Sequence, residues 1–298
     1  MYNKGLLIYN EHAGNQDKYN QIGEAVKAIT PYVRALTIQK SEAPGDIEQI
    51  AAEKGVEMDI VFVMGGDGTL HEAINGIAPL KERPVIGILP AGTSNDFARS
   101  IGVPIHVKNA ALLAGQGKET AVDLGQINER YFINFAGVGL VTQVSENIDE
   151  NLKQTTGPFS YMYSALKTVQ ETSQPFRYKI IDDENQQHAG TAVMIAVLNG
   201  KSIGTTEIPF ANEMPDQGSM KLVIVREAGL HLFREWLQFK VKPESPQEEP
   251  SIEVYDTASF TLTTEDKMDV DTDGETYQES HFVFQALPAY IRFLIPLE

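Results

Sequence analysis

Met64 to Gly76 reads MGGDGTLHEAING, and its residue types are those of a phosphate site with one charge out of place. Gly65, Gly66 and Gly68 lie between an apolar run and an amphipathic one. Glycines there let backbone N–H groups approach phosphate oxygens, and the N-terminus of the following helix adds partial positive charge. Asp67 sits in the middle of the turn and no lysine follows. A carboxylate beside a triphosphate is repulsive unless a cation lies between them. Mg²⁺ binds through one or two carboxylates, waters and substrate phosphates, so Asp67 reads most simply as reaching ATP through magnesium. As structure alone, the same stretch is a glycine-rich turn capped by Asp67 or Thr69.

Neither of the two commonest phosphate motifs is present. Gly200-Lys201-Ser202 ends like GxxxxGK[ST], but Ile195 stands where the first glycine belongs. The dinucleotide fingerprint fails at His71 and, for Gly137-Val138-Gly139, at Thr142. A second candidate turn, LPAGTSNDFARSIG at 89–102, again follows an apolar run, with Gly92 and Thr93 at the turn and Asn95-Asp96 entering a helix. Further on, MDVDTDGE alternates Met268, Val270 and Thr272 with Asp269, Asp271 and Asp273, so a strand there aims three carboxylates at one face. Crowded like charges must be solvated, paired, metal-bound or raised in pKa. Asp269 and Asp271 read as the solvated face of an edge strand.

Positioning these groups takes two kinds of scaffold, and 298 residues suffice for two domains. GLLIYN (5–10), VRALTI (33–38), DIVFVMGG (59–66) and PVIGILPAG (84–92) read as buried strands of a parallel sheet. Helices are expected over 16–30, over 46–54 and after the glycine turn, where Leu70, Ile74 and Ile77 mark the buried side. From about Asp123 the pattern changes to RYKII, TAVMIAVL, MKLVIV, IEVYD, SFTLTT, MDVDT and FVFQAL, separated by turns such as DDENQQ. Consecutive strands without helices between them suggest an antiparallel sandwich, entered after one helix over 159–172. The expected fold is a doubly wound α/β domain over 1–124, joined by the tail 288–298, with a β-sandwich over 125–287. AYIRFLIP, within that tail, is apolar enough to pack.

Composition excludes several classes. With no cysteine, disulfides, thiolate nucleophiles and cysteine zinc sites are absent, and six histidines show no metal-ligand spacing. A formal charge of −17 argues against sequence-independent nucleic-acid binding and against attachment to an anionic membrane by charge alone. No run of about 18 apolar residues appears, and the N-terminus lacks a signal-peptide pattern, so a cytoplasmic protein is expected.

Taken together, GGDGTLHEAING and PAGTSNDFARSIG resemble the catalytic-domain family of the diacylglycerol kinases, which includes soluble bacterial lipid kinases and the sphingosine kinases. Tyr9 to Gly14 resembles the family's first strand and loop, Val122 to Gly125 its inter-domain strand, and Asp273-Gly274-Glu275 its acidic motif. NAD kinases share the GGDG turn but lack the PxGTxNDF segment. The resemblance implies an ATP-dependent lipid kinase with nucleotide and lipid in the cleft between the domains, most simply converting diacylglycerol to phosphatidic acid. The alternatives are a kinase of NAD or another soluble alcohol, and a catalytically weak lipid-binding regulatory protein.

Carried over by position, the resemblance assigns ATP contacts to Asn10, Glu11, His12, Ala13 and Gly14, to Ser41, and to Gly65, Gly66, Asp67, Gly68, Thr69, Leu70 and His71. Thr93 and Asn95 complete that set. Asp67, Asp96 and Asp123 are implied to organise catalytic Mg²⁺, and Glu275, with Asp273 beside it, to accept the proton of the lipid hydroxyl. A second, structural Mg²⁺ is implied at Met214, Gln217 and Ser219, where neutral Gln217 replaces the usual aspartate. The first loop reads NEHAGN rather than NPxSGK, and His71 stands where the family usually has asparagine. The expected partners are ATP and a lipid at the inner membrane surface, approached peripherally through the aromatic and basic helix GLHLFREWLQFKVK at 229–242. A homodimer is compatible with these motifs.

Overall fold

The computed structural model describes residues 1–10, 18–139, 174–199, 202–203, 206–207, 218–227 and 251–297. The helices expected over 159–172 and 229–242, the first loop with Glu11, His12, Ala13 and Gly14, and Met214 and Gln217 all lie outside the described residues.

The N-terminal half runs β1 (Tyr2–Asn10), α1 (Lys18–Ile29), β2 (Val33–Ser41), α2 (Asp46–Gly55), β3 (Ile60–Gly65), α3 (Asp67–Ile77), β4 (Val85–Pro90) and α4 (Asp96–Ser100). Short helices α5 (Val107–Ala111) and α6 (Leu113–Gln116) follow. Every residue of β3 and β4 is buried. Their uninterrupted apolar runs suit strands covered on both faces, as parallel strands flanked by helices are. The strands pair in parallel in the order β4-β3-β1-β2. The crossovers therefore diverge between β1 and β3, and the crevice outside the carboxyl ends of such strands is where ligands bind in open α/β sheets. Asn10 and Gly65 lie at those ends.

The rest of the described chain is strand: β5 (Lys118–Ile127), β6 (Arg130–Phe132), β7 (Phe135–Gly139), β8 (Phe176–Asp182), β9 (Gln187–Ala192), β10 (Met194–Leu198), the two-residue β11 (Ser202–Ile203) and β12 (Thr206–Glu207), β13 (Met220–Val225), β14 (Ile252–Thr257), β15 (Ser259–Thr272) and β16 (Glu275–Ile295). These strands pair antiparallel with one another. SFTLTT and MDVDT are one strand with an irregularity between Thr263 and Met268, and FVFQAL and the C-terminal tail belong to the single strand β16. β16 ties the halves together: it pairs with β15, with β5, and in parallel with β4 through Phe293 and Ile86.

Two apolar clusters flank this seam. One gathers Leu6, Phe62, Ile74 and Phe97 with Phe293 from the far end of the chain, and Phe97 and Phe293 meet with ring centroids 5.0 Å apart. The other gathers Phe132, Ile195, Leu222 and Phe282 with the stacked pair Phe260 and Phe284. The architecture is thus an N-terminal α/β unit followed by a β-sandwich-like unit.

The two glycine turns touch backbone to backbone. A Cβ on Gly92 would lie 2.4 Å from Gly66 Cα. Neither partner there is a flexible side chain, so the backbone itself must move. Gly92→Ala is expected to lower folding stability by about 1–3 kcal/mol, the usual range for overpacking, measured by chemical denaturation.

Candidate active site

Helix α3 starts at the carboxyl end of β3, and its first residue, Asp67, reaches across to the next turn. The Asp67 carboxylate accepts the N–H of Phe97 at 3.2 Å and that of Asp96, so it caps α4 from another helix. Burial raises the pKa of Asp67, and the neighbouring charge of Asp96 raises it further; the two N–H donors oppose this, and the charge of Asp273 adds to it. Asp96 itself is buried. Two carboxylates held this close and desolvated favour a hard cation between or beside them. Among the described residues no three His, Asp or Glu side chains converge closely enough to hold a metal unaided.

The second turn is closed by Asn95, which sits at φ 52. Its amide donates to Gly92 O at 2.9 Å and accepts from Gly92 N at 3.1 Å. Both ends of that side chain are therefore engaged within the turn, whereas Thr93 is exposed beside it.

From the other half of the chain comes the hairpin between β15 and β16. Asp273 and Gly274 form its two-residue loop, with φ 51 and φ 100. Positive φ at both central residues is what a type I′ turn requires, and Asp-Gly is a preferred pair for it. The loop turns the Asp273 carboxylate inward. Its Oδ2 accepts the N–H of Ile133 at 2.7 Å, and its Oδ1 accepts those of Asn134 at 2.9 Å and Phe135 at 3.0 Å. His71 Nδ1 completes the set at 3.2 Å from Oδ2. Glu275, two residues on, is exposed, and its carboxylate has no hydrogen-bond partner among the described residues. It faces Glu72 of α3 closely enough that its charge contributes to raising the Glu72 pKa, behind the larger effect of burial.

Several expected sites are changed by these contacts. Among the described residues Asp123 does not cluster with Asp67 and Asp96, and its carboxylate binds backbone instead. It lies opposite the irregular stretch of β16 between Leu287 and Ile291. Its two oxygens accept the N–H of Ala289 at 2.7 Å and of Gly218 at 2.6 Å. A bulge leaves a strand N–H without its ladder partner, and the carboxylate supplies one. Leu70 is packed in the core, and His71 is 2% exposed, with its imidazole turned toward Asp273. Asp271 is fully buried, not solvated, because β15 is central there, lying between β7 and β16. Its Oδ1 accepts the N–H of Gly274. Asp269 is exposed, as expected. Asn10 and Ser41 are register partners at the ends of β1 and β2, and Ser219 is half-buried just before β13.

Other residues emerge only from the tertiary structure. Asn75, one turn after His71, exchanges hydrogen bonds with the backbone of Tyr131 in both directions. Asn199 donates to the carbonyls of Asp123 and Ile133. Lys18 Nζ donates to Asn10 O at 2.7 Å, bringing a positive charge to the end of β1. The Asp-Gly pair was a legible hairpin signal; nothing local marks the others.

This two-part architecture, with its paired glycine turns and acidic hairpin, has relatives. Residues 4–127 match the diacylglycerol kinase catalytic domain, and residues 135–295 match the YegS C-terminal NAD kinase β-sandwich-like domain. The chain belongs to the diacylglycerol kinase catalytic-domain family. A Staphylococcus carnosus (strain TM300) protein named "Putative lipid kinase" is 31% identical, over 92% of this chain and 90% of its own length. Two crystal structures from Bacillus anthracis str. Sterne align with 99% of this chain and 97% of their own: a "putative diacylglycerol kinase" at 32% identity and TM-score 0.84, and a second diacylglycerol kinase at 31% and 0.81. Membership in this family makes the chain a lipid-kinase-type phosphotransferase. Among the described residues no helix is long and apolar enough to cross a membrane.

A raised carboxylate pKa means that ionising Asp67 costs folding free energy. That cost is absent well below the ordinary carboxylate range and develops as pH rises through the raised value. In Mg²⁺-free buffer Asp67→Asn is therefore expected to melt above the wild type at pH 7, with the difference shrinking toward pH 4. Thermal melts at both pH values measure it; a lower melting temperature for the variant at pH 7 would mean that the N–H contacts outweigh the repulsion.

Proposed function

We propose that this protein transfers the γ-phosphoryl group of ATP to the free hydroxyl of diacylglycerol, giving phosphatidic acid, at the inner surface of the membrane. The observation that carries the reading is the pairing of an open carboxylate, Glu275, with the Asp67 and Asp96 turns. One comes from each half of the chain, and the charge of the buried Asp273, two residues before Glu275, acts on Asp67.

Phosphoryl transfer asks an enzyme for positioning, neutralisation of phosphate charge and an acceptor for the hydroxyl proton. Backbone N–H groups of Gly66 and Gly68 at the start of α3 suit phosphate oxygens. Asp67 and Asp96 are the residues that would hold Mg²⁺, which when bound offsets phosphate charge. Glu275 takes the proton from the lipid hydroxyl as that oxygen bonds to phosphorus and ADP leaves. Asp273 keeps the hairpin in place; the four donors already on its oxygens favour Glu275 over Asp273 as the proton acceptor. Lys18 adds a positive charge at the nucleotide end, where the first loop has Asn15 in place of the family's usual lysine.

The substrate is tested with purified protein, labelled ATP and Mg²⁺, offered diacylglycerol, sphingosine and monoacylglycerol in micelles and NAD in solution. Label on diacylglycerol is expected, and label on NAD alone would overturn the assignment. Within that assay Glu275→Gln is expected to lose on the order of 10²–10⁴-fold in kcat, the usual contribution of general base catalysis, with KM for ATP and thermal stability unchanged. Asp273→Asn should lose both turnover and about 1–3 kcal/mol of stability, because its amide N–H₂ must face buried donors.

A further inference from the structure

We infer that His71 is a positioning residue that holds the Asp273–Glu275 hairpin in register with the glycine-turn helix, and that it is needed for turnover without touching substrate. The inference rests on the phosphoryl-transfer reading for its kinetic consequence, and on geometry alone for the contact itself.

Asp67, His71 and Asn75 are spaced i, i+4, i+8 and so form one polar stripe along α3, offset from the apolar stripe of Leu70, Ile74 and Ile77. Each member of the stripe interacts with the second half of the chain, by charge or by hydrogen bond. Asp67 feels the charge of Asp273, His71 donates to its carboxylate, and Asn75 binds the backbone of Tyr131. Of the four donors on Asp273, three are backbone N–H groups from Ile133 to Phe135. His71 is the one that comes from the nucleotide side. Removing it leaves the carboxylate bonded and the hairpin folded, but severs the direct link from α3 to the loop preceding Glu275.

The tautomer follows from the same network. Tyr131 N donates to Asn75 Oδ1 at 2.9 Å, which fixes the amide so that its N–H₂ side faces the imidazole. Asn75 Nδ2 lies 3.2 Å from His71 Nε2. An ionised Asp273 can only accept, so Nδ1 carries the hydrogen of that contact, and a proton on Nε2 would point at the Asn75 N–H₂ group. An asparagine at 71 would place its Nδ2 near the position of Nδ1, whereas leucine offers shape without a donor.

The experiment combines kinetics with nuclear magnetic resonance on the full chain. A misplacement of about 1 Å costs on the order of 100-fold in rate. His71→Leu is therefore expected to lower kcat on diacylglycerol by about that factor, with KM for ATP and lipid within about twofold, and His71→Asn to recover most of the loss. The double variant His71→Leu, Glu275→Gln should be no slower than Glu275→Gln alone, since one residue acts through the other. Multiplicative losses, or full turnover in His71→Leu, would overturn the inference. Independently of activity, the long-range ¹H–¹⁵N spectrum of His71 is expected to show the Nδ1–H tautomer and to change in Asp273→Asn. If wild type phosphorylates no lipid, the proposed function falls, and this spectrum alone decides the contact: the Nε2–H tautomer, or no response to Asp273→Asn, rejects it.

Discussion

The Asp273 carboxylate, out of contact with solvent at the junction of the two halves, is the interaction on which the site depends. An unpaired ion in such a place costs several kcal/mol. Three consecutive backbone N–H groups and one imidazole offset that cost, and each fixes a different piece of chain. The N–H groups set the course of residues 133–135 as they enter β7, the imidazole sets α3, and the positive φ of Asp273 and Gly274 sets the hairpin that carries Glu275. One carboxylate thus holds the glycine-turn helix and the acidic hairpin to each other.

Around it the electrostatics are left unbalanced. Asp67 is desolvated next to Asp96 and feels Asp273, and Glu72 is desolvated near Glu275. These repulsions oppose folding and would be relieved by a bound cation or by a proton. Strain of this kind is expected where a protein keeps charge ready for a ligand. Elsewhere the buried acids bind backbone: Asp123 fastens the irregular stretch of β16, and Asp271 Oδ1 closes its own hairpin. The same residue type therefore serves three purposes, distinguished by which donors reach each oxygen.

The long strand β16 supplies the rigidity these contacts assume. It starts at Glu275, crosses the sandwich-like half, and ends beside β4 with Phe293 packed on Phe97 of the helix that Asp67 caps. The acidic hairpin and the glycine turns are joined both through this covalent strand and through the polar stripe of α3, so their separation is set twice.

By itself the sequence determined the parallel strands, the first helices, the two glycine turns, the change to consecutive strands near Asp123 and the family. Those features depend on neighbours a few residues apart: apolar runs, i, i+4 spacing, and glycine where backbones must approach. It did not determine which acids are buried, that Asp123 serves a bulge, that SFTLTT and MDVDT are one strand, or what His71 does. Those depend on partners that are distant along the chain, 202 positions in the case of His71 and Asp273. An alternating pattern also reads the same whether a strand lies at an edge or between two neighbours. Only the tertiary structure decides which donors surround a carboxylate, because hydrogen-bond partners are chosen by proximity in space, and for these residues the chain brings them together only once both halves have folded.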